Sequence, residues 1–246
     1  MKQLFLAWLL LMALTACKET PSLTVYCTAN LKKPVEEIAT QYEKEHGIEV
    51  RLQYGPTGTL LSQLQVAKRG DLIIVADDGS LEDARRKNLL GKSLPLTEQH
   101  GVIAVKQGNP KNIRTIAHLL RPDVKLALPN PESASIGKIT RQMLITQWQK
   151  LEKKAVVMKP SVTEVAADVQ LGAADAAFVW DSTVPQFKGL EAVEVPELAR
   201  HLDHASAAIL SCSTQHEAAL EFARYLTAPD RGGLVFKKLG FKMANE

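Results

Sequence analysis

The chain has 246 residues, 46% of them hydrophobic and 23% charged, with a formal net charge of +3. That length can bury a sizeable core, either in one large domain or in two lobes, and the composition is ordinary for a soluble globular protein. Basic residues alternate with acidic ones, as in Glu82-Asp83-Ala84-Arg85-Arg86-Lys87, and no basic stripe is interleaved with aromatics. Nucleic acid is therefore excluded as a partner, and the Arg85-Arg86-Lys87 run reads as a solvated helix face.

Met1-Lys2-Gln3 is a short positive start, and Leu4 to Leu14 is an almost unbroken apolar run. Such a run is too short to span a bilayer and reads as the core of an export signal, so residues 1–16 are taken as a signal peptide. It ends in Leu14-Thr15-Ala16-Cys17, which resembles the bacterial lipobox, whose cysteine is lipidated and becomes the first mature residue. Membrane attachment would then come from acyl chains at Cys17, each buried CH₂ contributing about 0.8 kcal/mol. The expected location is the periplasmic face or cell surface. Cys27 and Cys212 each end an apolar stretch; they could pair outside the cytoplasm, but they read as two buried thiols. His201 and His204 could share a helix face near Asp203, yet no Cys/His spacing resembles a structural zinc site, and no direct cation site is expected.

In chain order, Leu23-Thr24-Val25-Tyr26-Cys27 is rich in β-formers and predicts a strand. Val35, Ile38, Ala39 and Tyr42 recur at helical spacing, and Gly47 stops that helix. Ile48 to Leu52 alternates as a half-buried strand does. Gly55-Pro56-Thr57-Gly58-Thr59 turns into a helix bearing Leu60, Leu61, Leu64 and Val66. Asp71 to Asp77 is a buried strand bounded by acids. This β-α-β-α-β run predicts a mainly parallel sheet with helices on both faces. A second α/β set starts with a strand at Gly101–Val105. A helix at Ile113–Leu120, a strand at Lys125–Leu128 and a helix from about Gly137 to Lys150 come next. A strand at Ala155–Val157, a helix at Thr163–Leu171 and a strand at Ala176–Trp180 complete it. Ala205–Leu210 reads as a returning strand, and helices at Glu217–Leu226 and Asp230–Leu239 close the chain. Crossings near 98–102 and 203–208 would place residues 17–100 plus 206–246 in lobe I and 101–205 in lobe II, with a cleft between.

Several predicted helices open on small or polar residues: Asn30-Leu31, Thr57-Gly58-Thr59, Ser135-Ile136-Gly137 and Ser161-Val162-Thr163. A helix start presents free N–H groups and the positive end of its dipole, so it suits an anion without a formal cation. The same residues are also simply good N-caps. Asp71 and Asp77 could reject anions from a cleft or could order loops. Nothing pairs a nucleophile with a base and an orienting acid, so an enzyme is not expected.

From Leu23 to Phe241 the chain resembles the periplasmic molybdate-binding proteins of ABC transporters. The resemblance rests on several pieces in order. They are Val25-Tyr26-Cys27-Thr28-Ala29-Asn30-Leu31, Gly58 to Leu64, Gly70 to Asp77, Asn130-Pro131-Glu132 with Gly137, Leu171 to Trp180, and Ala223 to Pro229. The resemblance implies a two-lobed type II periplasmic-binding fold of the α/β class, closing on a tetrahedral oxyanion such as molybdate or tungstate. It implies partnership with a membrane permease and an ATPase, no cofactor, and action as a monomer. It carries ligand contacts onto Asn30, Thr57, Ser135, Ile136, Val162 and Trp180. Asn30 stands where the family has serine, Thr57 keeps a hydroxyl, and Trp180 replaces a tyrosine, moving its one donor. Sulfate, phosphate or a carboxylate stays open as the ligand, as does a non-transport sensor lipoprotein. Changing Cys17 to Ala should release the protein from membranes; a variant that still partitions fully with membranes would refute the lipobox reading.

Overall fold

The computed structural model describes residues 21–244. The signal peptide and Cys17 lie outside the described residues. Strands β1 (Ser22–Thr28), β2 (Glu49–Gly55) and β3 (Leu72–Val75) alternate with helices α1 (Lys32–His46) and α2 (Thr57–Ala67), and α3 (Asp78–Arg86) follows. β1 pairs in parallel with both β2 and β3. Side chains alternate across this sheet, as a period of two requires. Leu23, Val25, Cys27, Leu72 and Ile74 join one buried cluster, whereas Tyr26, Ile73 and Val75 join another with Leu60, Leu64 and Leu81. α1 buries Val35, Ile38, Ala39 and Tyr42 and ends at Gly47, whose φ of 68° is the left-handed cap that glycine adopts freely. On α2, Leu60 and Leu64 are buried, but Val66 is 86% exposed and off the packing face.

The rest of the chain adds β4 (Leu90–Lys106), β5 (Leu126–Pro129), α4 (Ser135–Met143), α5 (Ile145–Lys154), β6 (Val157–Lys159), α6 (Val162–Leu171) and β7 (Ala176–Trp180). Beyond these lie β8 (Leu190–Val193), α7 (Pro196–Ala199), β9 (Leu202–Leu210), α8 (His216–Thr227), α9 (Gly232–Lys238) and β10 (Lys242–Met243). The strand order is β2-β1-β3-β9-β4-β7-β5-β6, with β8 and β10 also paired to β4. β4 serves two half-sheets. Its part up to His100 pairs antiparallel with β9, and its part from Gly101 pairs antiparallel with β7 and β8. The fold is thus two α/β lobes joined along their strands. The second lobe repeats the alternation: Val102, Ala104, Ala177 and Val179 face α6, and Ile103, Val105 and Phe178 pack with Trp148 and Leu151 of α5. Burying each such side chain contributes about 1.5–3 kcal/mol.

Several elements differ from the sequence expectation. The Leu90–His100 half of β4 was not foreseen, because Pro95 argues against a strand. Register irregularities between Leu90/Ser93 and Pro95/Thr97 accommodate it. The helix expected from Gly137 to Lys150 breaks at Leu144, which has φ −105° and ψ 29°. Ile113–Leu120 forms only a 3-10 turn at Ile116–Leu120, and the strand expected at Ala155–Val157 lies at Val157–Lys159. His204 lies on β9 and His201 just before it, so they share no helix face. Both described cysteines are free; Cys27 is buried, but Cys212 is exposed in the turn after β9, not a second buried thiol. The first sheet is mixed, since β9 runs antiparallel to β3.

Gly137 lets α4 approach the end of β5. A Cβ there would meet the Pro129 carbonyl oxygen at 2.5 Å and the Asn130 backbone at 2.9 Å. Gly137→Ala should therefore destabilise the fold by about 1–3 kcal/mol, the usual cost of overpacking. Urea unfolding measures it, and an unchanged midpoint would refute the close packing.

Candidate functional site

The residues expected to form the site sit where strands end and helices begin, at the boundary between the lobes. β1 ends at Thr28 and passes through a 3-10 turn, Ala29–Leu31, into α1. Asn30 in that turn is 1% exposed. Its Nδ2 donates to Ser182 Oγ at 3.0 Å and to Gln99 Oε1 at 3.3 Å. Its Oδ1 accepts from Thr183 Oγ1 at 2.6 Å and from Gln186 Nε2 at 3.3 Å. Ser182, Thr183 and Gln186 belong to the 3-10 turn Asp181–Gln186, which directly follows Trp180 at the end of β7.

α2 opens at Thr57 behind Pro56, and the buried Thr57 hydroxyl bonds the Thr28 hydroxyl at 3.1 Å. Two hydroxyls sharing one bond leave one hydroxyl hydrogen for another acceptor. The Gly58 N–H donates across the cleft to the Ser133 carbonyl at 3.0 Å, and a Cβ on Gly58 would lie 3.0 Å from the Glu132 and Ser133 oxygens. α4 opens at Ser135 after Ala134, which supplies no side-chain cap. α6 opens at Val162 after Ser161, whose hydroxyl accepts from the Glu164 N–H at 3.3 Å and donates to Glu164 Oε1 at 2.8 Å. Ser161 is thus a working N-cap with its partner three residues on.

Ile136, Val162 and Trp180 pack in one buried cluster, and α6 also touches the Ala29–Leu31 turn. Trp180 is 1% exposed, and its Nε1 has no hydrogen-bond partner among the described residues. A buried N–H without a partner costs about 1–3 kcal/mol, so this donor asks for an acceptor. The starts of α2, α4 and α6 thus lie at the lobe boundary with Asn30 and Trp180. None of the six sequence-derived contact residues carries a formal charge. Ser135 also lines a cavity of about 320 Å³ between the lobes, together with Gly58, Lys87, Lys138 and Arg141. Two of its cations already have carboxylates: Lys138 lies 2.6 Å from Asp83, and Arg141 lies 2.6 Å from Glu132. Thr28, Gln99, Ser182, Thr183 and Gln186 were not found from sequence. Only the adjacency of Ser182-Thr183 to Trp180 could have pointed to them.

The acids Asp71 and Asp77, which bound β3, order backbone. Asp71 accepts from the Thr24 N–H at 2.9 Å and from the Ser213 hydroxyl at 2.7 Å, tying β1 to the turn after β9. Asp77 caps α3 by accepting from the Ser80 N–H at 2.7 Å. Its other oxygen is buried without a partner among the described residues, and desolvation pushes the carboxyl up to about 6. Asp203, on β9, accepts from the Asp78 N–H at 3.0 Å and lies 2.7 Å from His201; burial likewise pushes it upward. Asp77 and Asp203 line a different cavity, of about 480 Å³, beside α3 and α4.

Asp77 generates a pH prediction. The unfolded carboxyl titrates near 3.9, so the folded state binds more protons than the unfolded state between about pH 4 and pH 6. Stability from this group is complete below about pH 4, is lost as pH rises through about 6, and is level above that. Asp77→Asn keeps the capping oxygen and removes the charge. Relative to wild type it should gain up to about 3 kcal/mol between pH 4 and pH 7, because each tenfold difference in proton affinity between folded and unfolded carboxyl is worth about 1.4 kcal/mol. Urea unfolding at both pH values decides it; a difference independent of pH would show that Asp77 is not a buried acid with a raised pKa.

The chain from residue 23 to 242 matches the family described as bacterial extracellular solute-binding protein. It is 26% identical over 242 residues to the molybdate-binding protein ModA of Escherichia coli, covering 92% of this chain and 91% of the relative. It is 27% identical over 223 residues to the molybdate-binding protein ModA of Mycobacterium tuberculosis, covering 89% and 84%. Its fold matches the solved structure of the sulfate-binding protein SubI from Mycobacterium tuberculosis with a TM-score of 0.78 at 18% identity, covering 92% of this chain and 88% of that one.

Proposed function

Because this chain belongs to the family of bacterial extracellular solute-binding proteins, we propose that it captures a tetrahedral oxyanion of the molybdate or tungstate type between its lobes. It hands the anion to the permease and ATPase of an ABC transporter. The observation that carries this reading is the buried Trp180 Nε1, left without an acceptor among the described residues where it packs with the starts of α4 and α6. A helix start holds an anion with backbone N–H groups and its dipole, and neutral donors fixed in place replace the water that the anion loses on entry. The spare hydroxyl hydrogen of the Thr28–Thr57 pair adds one donor. The molybdate-binding relatives support the ligand class.

A second reading keeps the fold and changes the anion to sulfate or another small oxyanion. It is favoured by Asn30, whose amide is already bonded to Ser182, Gln99, Thr183 and Gln186, so the contact set differs from that of the family. The lobe division is also a proposal. The pairing of β4 supports the crossing at 100/101, and the pairing of all of β9 with the first half-sheet supports moving the return from 205/206 to about 201/202. Anchoring through Cys17, as proposed, would hold the protein at the periplasmic face of a membrane or at the cell surface, and among the described residues no helix is long and apolar enough to cross one.

A ligand that binds only the folded protein stabilises it by about 2.7 kcal/mol at a hundredfold excess over Kd. Molybdate or tungstate at millimolar concentration should raise the melting temperature, and sulfate and phosphate should raise it less. Trp180→Phe removes the Nε1 donor from a charged acceptor and should weaken binding by about ten- to a hundredfold. A shift with sulfate alone would establish the second reading. No shift with any oxyanion, or full affinity in Trp180→Phe by calorimetric titration, would overturn the site.

A further inference from the structure

The Asn30 side chain has two N–H donors and an oxygen with two lone pairs. Both donors are engaged, on Ser182 and Gln99, and the oxygen accepts from Thr183 and shares a Gln186 Nε2 hydrogen, since Gln186 Nε2 also donates to the Ser182 carbonyl at 2.9 Å. The Asn30 carbonyl accepts a further bond from Gln186 Nε2 at 3.0 Å, and Lys33, at the start of α1, donates to the Gln186 carbonyl at 2.8 Å. Asn30, Gln99, Ser182 and Thr183 are all buried. Ser182 also donates to Gln99 Oε1 at 2.8 Å, and Gln99 Nε2 is held by the Ala76 carbonyl at 2.6 Å. Both Asn30 N–H groups are spent inside this network, so Asn30 has no donor left for an anion. Its bonds instead run from the turn after β1, in the first lobe, to the turn after β7, in the second. Satisfied polar networks of this kind fix one arrangement of the elements they join.

We propose that Asn30 is a positioning residue, a latch through which the chain itself supplies the hydrogen bonds that hold the two lobes together. The role rests on reading the lobe boundary as the binding cleft. In a two-state cleft, any contact made only in the closed state shifts the population toward closure. The latch therefore biases the resting equilibrium toward the closed cleft. The anion is held by other groups: the Thr28–Thr57 hydroxyls, the helix starts and Trp180. A serine at position 30 is too short to reach Gln99, Ser182, Thr183 and Gln186 together, so the asparagine is what makes the latch.

The Gly58 N–H, bonded to the Ser133 carbonyl across the cleft at 3.0 Å, reports closure without any ligand. Hydrogen exchange is measured on the whole protein with no oxyanion added. Net hydrogen-bond contributions of this kind predict that Asn30→Ala speeds exchange at Gly58 about tenfold, with a smaller increase in Thr183→Val. Exchange at the core amides of Leu23–Cys27 and Leu72–Val75 should stay unchanged. An unchanged Gly58 rate in Asn30→Ala overturns the latch. Equal acceleration of Gly58 and the core amides in both variants also overturns it, since Asn30 would then support the fold and not the closure. A failed molybdate titration would leave this measurement untouched, so the two readings fail separately.

Discussion

Strand β4 changes partners between His100 and Gly101, and the site depends on that change. Up to His100 its backbone is bonded to β9 in one half-sheet; from Gly101 it is bonded to β7 and β8 in the other. A strand cannot leave a sheet without losing its ladder of hydrogen bonds, so carrying one strand through both half-sheets satisfies the backbone at the crossing. The register places Gly101 opposite Trp180. The turn that follows Trp180 therefore faces the turn that follows β1, and the polar network around Asn30 forms there. Gln99, two residues before the crossing, joins that network from β4 itself.

The chemistry at the boundary is dipolar. The proposed contact positions Thr57, Ser135, Ile136, Val162 and Trp180 are uncharged, and the nearby cations Lys138 and Arg141 are matched by Asp83 and Glu132. For the anion proposed here, fixed dipoles would provide a hold with little reorganisation and would also allow release. A formal cation buried against a dianion would hold it more tightly and would itself be expensive to desolvate. Buried acids lie apart, at the start of α3 and on β9. There Asp77 and Asp203 organise the backbone where the second crossing returns to the first half-sheet.

The β-α-β-α-β opening was legible because β1 and β3 are dense in β-formers and α1 has a clean helical stripe ended by Gly47. Val66 was grouped with Leu60 and Leu64 by its apolar side chain, although a helical period places it on the far side of the helix, where it is exposed. The Leu90–His100 half of β4 was hidden by Pro95, which a strand tolerates only at an irregularity, and the register shift beside it cannot be seen in a linear pattern. The break at Leu144 carries neither proline nor glycine, so nothing local announced it.

By itself the sequence determined the alternation of strands and helices, the helix starts rich in small and polar residues, and the uncharged residue types at the positions expected to touch a ligand. These are local properties, set by side-chain period, capping chemistry and residue type. Only the tertiary structure decided that Asn30 commits its amide to Ser182, Thr183, Gln186 and Gln99, and that the Trp180 N–H has no acceptor among the described residues. Whether a polar group is satisfied depends on partners that the chain brings in from far along its length: Asn30 and Ser182 are 152 residues apart. No local pattern encodes that pairing, because it exists only once both half-sheets have formed on β4.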